Sequence, residues 1–161
     1  MAKKGKVAVI MGSDSDLPVM NEAVKVLEGY KIPFEVKILS AHRSPDDTAG
    51  YAKNARRKGI KVIIAGAGGA AHLAGVVASH TTLPVIGVPM ETRELKGIDS
   101  LFSTVQMPSG VPVAAMSIGK AGAKNAAILA CEILSLEDKS IERKLAAFKK
   151  ELAEAVRKKN K

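Results

Sequence analysis

The feature that most constrains this chain is a regular alternation along its length. Short runs of β-branched and other apolar residues are separated by longer stretches with a helical hydrophobic period. Lys6-Val-Ala-Val-Ile-Met11 reads as a buried strand, and Phe34 to Leu39 as a second. Lys61-Val-Ile-Ile-Ala-Gly66 is a third, Val85-Ile-Gly-Val88 a fourth, and a fifth centres on Val111 to Met116. Between them, Leu17 to Gly29 sets Leu17, Met20, Val24 and Leu27 on one helical face. Pro45 to Lys58 reads as a helix with Pro near its start, and Ala121 to Leu136 as an Ala-rich helix.

Strands that alternate with helices imply a parallel sheet covered on both faces and joined by right-handed crossovers. The expected fold class is therefore α/β: a three-layer α/β/α sandwich on a five-stranded parallel, flavodoxin-like sheet in the order 2-1-3-4-5. A C-terminal amphipathic helix follows it. In that order the chain reverses direction between the first and third strands. A ligand crevice opens there, beyond the carboxyl ends of the strands.

At 161 residues the chain suits one domain, and it should bury about 70% of the surface its unfolded form exposes. It needs neither disulfide nor structural metal to hold a core. The single Cys131 cannot form an intrachain disulfide, which fits a reducing compartment, and one Cys with three scattered His cannot close a tetrahedral zinc site. The N-terminus, Met1-Ala-Lys-Lys-Gly-Lys6, is basic, but the apolar run after it stops at Gly12. That run is too short for a signal-peptide core or a membrane span, so the expectation is a cytoplasmic protein with no membrane partner.

The net charge of +9 raises the question of nucleic acid. However, residues 139–161 alone carry nine Lys/Arg and three Glu, and the chain has no Trp, two Tyr and three Phe. The excess is local and base-stacking material is scarce, so no nucleic-acid partner is expected. The same segment sets Ile141, Leu145, Phe148, Leu152 and Ala155 at helical spacing. It divides the chain into a catalytic domain, 1–138, and a helical extension, 139–161, that packs either on its own domain or on a neighbouring subunit.

Three loops at the expected crevice carry the chemistry. Gly12-Ser13-Asp14-Ser15-Asp16 offers a tight turn, two hydroxyls and helix-start amides suited to a phosphate. One of its carboxylates suits ribose hydroxyls, and the alternative is that Ser15 or Asp16 merely caps the helix. Ser40-Ala41-His42-Arg43-Ser44-Pro45 pairs an imidazole, the side chain that ordinarily titrates near neutral pH, with a permanent bidentate anion binder. Ala65-Gly66-Ala67-Gly68-Gly69-Ala70-Ala71-His72-Leu73 lies in a span of 29 residues without a charged side chain, between Lys61 and Glu91. Such a loop brings backbone close to a flat ligand and can enclose a small uncharged molecule. His72 is either a second functional His or a core His, and His80 reads as structural. Gly66 to Ala71 also matches a loose dinucleotide fingerprint with Glu91 downstream. That match falls at the third βα unit instead of the first, and it leaves Ser13, Asp16, His42 and Arg43 without roles.

Taken together, these loops resemble the N5-carboxyaminoimidazole ribonucleotide mutase family of purine biosynthesis. Val85-Ile-Gly-Val-Pro89, Asp99-Ser-Leu-Phe-Ser103, Val105-Gln-Met-Pro108, Gly110-Val-Pro112 and Lys124-Asn-Ala-Ala127 continue the match, in order, from about residue 6 to 136. The resemblance implies an ATP-independent transfer of carboxylate from the exocyclic nitrogen to the adjacent ring carbon, without metal or cofactor. It implies His42 as general acid/base, with CO2 released and recaptured inside the site. Ser13, Ser15, Ser40 and Arg43 would hold the phosphate end and Asp16 the ribose. The Gly68-Gly69-Ala70 backbone with His72 and Leu73 would line the base and CO2 pocket. It further implies a homo-octamer, which favours intersubunit packing of the C-terminal helix. Ala74 stands where members commonly have Pro, and Ser109 where Gly or Arg is common. A related branch carboxylates aminoimidazole ribonucleotide with CO2 directly; the third loop resembles the mutase branch.

Overall fold

The computed structural model describes residues 6–160, so the basic leader read at residues 1–5 lies outside the described residues. Five strands, β1 (Lys6–Met11), β2 (Phe34–Ile38), β3 (Ile60–Ala67), β4 (Val85–Pro89) and β5 (Ala114–Ala115), form one sheet. Every pairing is parallel and the order is β2-β1-β3-β4-β5, as the alternation implied. The helices are α1 (Leu17–Tyr30), α2 (Pro45–Ala55), α3 (Leu73–Ser79), α4 (Ile98–Val105), α5 (Lys120–Ser135) and α6 (Lys139–Lys158).

Successive strand residues point to opposite faces, and the core divides accordingly. Val7, Val9 and Met11 of β1 pack with Met20, Ala23 and Leu27 of α1 and with the alanines of α5. Ala8 and Ile10 pack on the other side with Tyr51, Ala52 and Ala55 of α2 and Leu73, Ala74 and Val77 of α3. β1, β3 and β4 are sealed on both faces, which is why they read as unbroken apolar runs. Each large aliphatic side chain fully buried there contributes about 1.5–3 kcal/mol. Cys131 lies in the same core, and burial pushes its thiol up to about 11.

Several elements differ from the sequence expectation. Leu17 is 38% exposed, and Ala23 joins Met20 and Leu27 on the buried face of α1. The helix after β2 ends at Ala55 and finishes as a 3-10 turn, Arg56–Lys58. β5 is only two residues long. Pro112 has no N–H to give a ladder, and Met116 N–H and Gly119 N–H reach Gly87 and Pro89 carbonyls outside the strand. α4 runs against the usual pattern: it buries Ser100 and Thr104 and turns Ile98, Phe102 and Val105 to solvent. In α6, Ile141 and Leu145 enter the core, whereas Leu152 and Ala155 are exposed. Asp138 caps α6 by accepting from Ser140 N–H at 2.8 Å, and Lys144 Nζ donates to the Tyr30 carbonyl at 2.9 Å.

Two glycines give opposite expectations for stability. A Cβ on Gly122 of α5 would fall 1.6 Å from the Ser117 carbonyl oxygen, so Gly122→Ala should destabilise by about 3 kcal/mol. Gly29 in α1 has nothing within 4 Å of a built Cβ and no positive φ, so Gly29→Ala should stabilise by about 0.4–1 kcal/mol. Urea unfolding at matched protein concentration checks both.

Candidate active site

Backbone bonds continue the sheet beyond its strands and carry the loops to one edge. Gly12 N–H donates to the Gly66 carbonyl at 3.1 Å, Leu39 N–H to Met11 at 2.8 Å, and Met90 N–H to Ala67 at 2.9 Å. The loops after β1, β2 and β3 consequently border one cleft of about 480 Å3. Ser13, Ser15, Asp16, Ser40, His42, Arg43, Gly68, Ala70, His72 and Leu73 all line it. Of the residues expected at the site, Gly69 does not. His80 lies away from it, at the end of α3.

The first loop forms a 3-10 turn, Asp14–Asp16, leading into α1. Ser13, not Ser15 or Asp16, is the cap. Its Oγ accepts from Ser15 N–H at 3.3 Å, and Asp14 Oδ1 accepts from the same N–H at 3.0 Å. That amide is already engaged, and so is the Ser13 hydroxyl, which donates to Asp14 Oδ1 at 3.1 Å, so an anion bound here has to draw both away from the Asp14 carboxylate. Asp16 makes no side-chain cap bond to α1 and sits half-buried in the cleft wall. Burial raises its pKa above the ordinary aspartate value, partly offset by a hydrogen bond from the Ser13 backbone and added to slightly by the neighbouring Asp14 carboxylate.

In the second loop Ser40 orients Arg43. Ser40 Oγ accepts from Arg43 N–H at 3.1 Å and from Arg43 Nε at 3.3 Å. Arg43 Nη2 then donates across to the Gly12 carbonyl at 3.1 Å, tying the second loop to the first. His42 and His72 meet across the mouth of the cleft, with His42 Nε2 2.9 Å from His72 Nδ1 and the rings edge-to-face at 88°. Two imidazole nitrogens at that distance hold one proton between them, one ring donating and the other accepting. His72 is exposed in the cleft, which removes the core-histidine alternative.

The third loop is shorter than its sequence suggested, because Ala65, Gly66 and Ala67 belong to β3 and Leu73 opens α3. Gly69 turns with φ +67°, a conformation that favours glycine. Ala74 is buried in the first turn of α3, where a Pro would also be tolerated because that turn's N–H groups have no intrahelical acceptor. In the single chain the loop is not enclosed: Gly68, Ala70 and His72 are exposed, as are His42 and Arg43.

Sequence reasoning did not assign Ala41, Ala67, Met90 or Glu91, which also line the cleft. β4 neighbours β3, so the residues following Val88 reach the same edge, and the strand order alone could have nominated them. Met90 and Met20 close the floor. A Cβ on Gly66 would lie 2.5 Å from both Met20 Sδ and Met90 Cε, so glycine there lets the two methionines meet beneath the loop.

Comparison with known proteins agrees with this fold. The family model described as AIR carboxylase matches residues 6–155. Proteins named N5-carboxyaminoimidazole ribonucleotide mutase are similar over most of the chain. That of Pyrococcus abyssi is 56% identical, covering 94% of this chain and 87% of its own. That of Thermotoga maritima is 58% identical with the same coverage. That of Bacillus subtilis is 59% identical over 86% of each. The crystal structure of Treponema denticola PurE superimposes with a TM-score of 0.87 at 28% identity, covering 96% of this chain and 95% of that one. On this match of sequence, sheet order and overall structure, the chain belongs to the AIR carboxylase family.

Proposed function

We propose that this chain is an N5-carboxyaminoimidazole ribonucleotide mutase, which converts its substrate to 4-carboxy-5-aminoimidazole ribonucleotide in purine biosynthesis. The observation that carries the reading is one cleft bordered by an imidazole pair, an oriented guanidinium, serine hydroxyls and a half-buried carboxylate. The names of the relatives at 56–59% identity support it.

The chemistry needs one proton carrier and a place to hold CO2. His42 gives its proton to the carbamate nitrogen. The C–N bond breaks, its electron pair staying on nitrogen, and CO2 and aminoimidazole ribonucleotide remain in the cleft. The adjacent ring carbon then attacks CO2, and the neutral His42 removes the proton from that carbon to restore the aromatic ring. The proton returns to His42, so the cycle balances without ATP, metal or cofactor. An imidazole suits both steps because its ordinary pKa lies near neutral pH. The 2.9 Å contact with His72 couples the tautomers of the two rings, since whichever nitrogen donates, the other must accept.

Arg43 with Ser13, Ser15 and Ser40 takes the phosphate, and Asp16 accepts from the ribose hydroxyls. Gly68, Gly69, Ala70, His72 and Leu73 form the base and CO2 pocket, with Gly69 acting through the turn it makes. Retaining CO2 requires water to be kept out, and the cleft of one chain is open. Self-association, to the octamer the resemblance implied, is favoured by the outward apolar face of Leu95, Ile98, Phe102 and Val105, and by Leu152 and Val156 on α6. Residues 1–138 would carry the chemistry, and in the 139–161 extension Ile141 and Leu145 pack on the same chain while the exposed Leu152 and Val156 would pack between copies. The reaction belongs to the cytoplasm, and no described helix is long and apolar enough to cross a membrane.

The deciding experiment runs the reaction in reverse, without ATP or metal, in labelled CO2/bicarbonate. Interconversion with little early label uptake is expected; uptake at the rate of turnover would indicate direct carboxylation instead. His42→Asn should abolish turnover and leave ribonucleotide binding within about twofold, while Arg43→Ala should chiefly raise KM. Turnover assays with equilibrium binding separate these. Asp16→Asn should weaken binding yet raise Tm at pH 7. A carboxylate with a raised folded pKa costs stability once pH exceeds its unfolded pKa, so the gain should vanish as pH falls below the ordinary carboxylate range. Thermal melts from pH 3 to pH 7 check the sign.

A further inference from the structure

Gly69 faces away from the cleft, and α4 holds its peptide. Gly69 N–H donates to Ser100 Oγ at 2.9 Å, and Ser100 is fully buried. The Gly69 carbonyl accepts from Ala71 N–H at 2.8 Å and lies 3.3 Å from Ser103 Oγ, whose proton goes mainly to the Asp99 carbonyl at 2.7 Å. α4 is itself anchored beside the cleft. Thr92 Oγ1 donates to Asp99 Oδ1 at 2.8 Å and accepts from Gly97 N–H at 3.0 Å, whereas the Thr104 hydroxyl bonds only within the helix, to the Ser100 carbonyl at 2.7 Å, and plays no part in that anchoring.

A buried hydroxyl bonded to the amide of a left-handed glycine fixes the orientation of the 68–69 peptide. On either side of that peptide, Gly68 and Ala70 border the cleft. His72 follows at once, its N–H donating to the Ala70 carbonyl at 2.8 Å and its ring bonded to His42. Rotation of the Gly69 peptide would therefore move both a cleft wall and an imidazole. Removing the acceptor invites that rotation, because a part-buried N–H left without a partner favours turning to find one.

We infer that Ser100 is a positioning residue for the carboxylate transfer. Through Gly69 N–H it holds the wall of the CO2 pocket and the His72 ring in register with His42, without touching substrate. This rests on the mutase reading above. It also gives a role to the Asp99-Ser-Leu-Phe-Ser103 segment, which supplies no side chain to the cleft lining.

The test compares Ser100→Ala and Ser100→Cys with Thr104→Val, which removes the other buried hydroxyl of α4 away from the loop. Ser100→Cys fills nearly the same space with a poorer acceptor, so it reports even where Ser100→Ala does not fold. Both Ser100 variants are expected to lose about ten- to a hundredfold in kcat, with ribonucleotide binding within about twofold. Label uptake from bicarbonate per turnover should rise several-fold as CO2 escapes. Thr104→Val is expected to match the parent in both. Parent-like kcat and label retention in the Ser100 variants, or an equal defect in Thr104→Val, would overturn the inference alone. A parent that does not interconvert the two carboxylated ribonucleotides would overturn the mutase reading and this inference with it.

Discussion

The pairing of β1 with both β2 and β3 is the constraint on which the rest depends. Val9 pairs with Val36 on one side and Ile64 on the other, so β1 lies between two strands that follow it in sequence. A right-handed crossover to each side sends α1 and α2 to opposite faces and parts the loops at the carboxyl ends. Met11 pairs with Gly66 in the same register, which sets the starts of the first and third loops side by side. No side chain in the cleft has to create this proximity; the ladder does.

Upon that frame the site is held by hydrogen bonds within and between its loops, those of the Arg43 guanidinium being charge-assisted. Arg43 bridges to the Gly12 carbonyl, Ser40 steers Arg43, and Ser100 secures Gly69 from below. Glycine at Gly66 lets Met20 and Met90 form a dry floor beneath a polar rim. The cost of a ligand-ready surface shows at Asp16, whose carboxylate is held half out of water and is harder to ionise as a result. Such placement opposes stability while it suits recognition of hydroxyl groups.

The elements most legible in the sequence were those whose burial is complete. β1, β3 and β4 are continuous apolar runs because both faces are covered, and their order followed from alternation with helices. The least legible were those whose environment is set by neighbours. α3 is seven residues containing Gly75 and the β-branched pair Val76 and Val77, with little helical preference of its own. α4 hides hydroxyls and exposes Phe102, so its pattern points to the wrong face for a lone domain. β5 carries Pro112 at its approach and pairs through two residues only.

At the site, the sequence by itself determined which chemistry was present: the serines and carboxylates of the first loop, His42 beside Arg43, and a glycine-rich third loop without charge. These follow from residue identity and from loop positions at the ends of strands, both of which are local. Tertiary structure decided the rest. It turned Gly69 outward onto Ser100, gave the cap to Ser13, brought Met90 and Glu91 into the cleft, and set His72 2.9 Å from His42 across thirty residues of chain. Periodicity reports which face of an element is buried. Which side chains meet above the sheet depends on register and loop path, and those are fixed only when the strands pair.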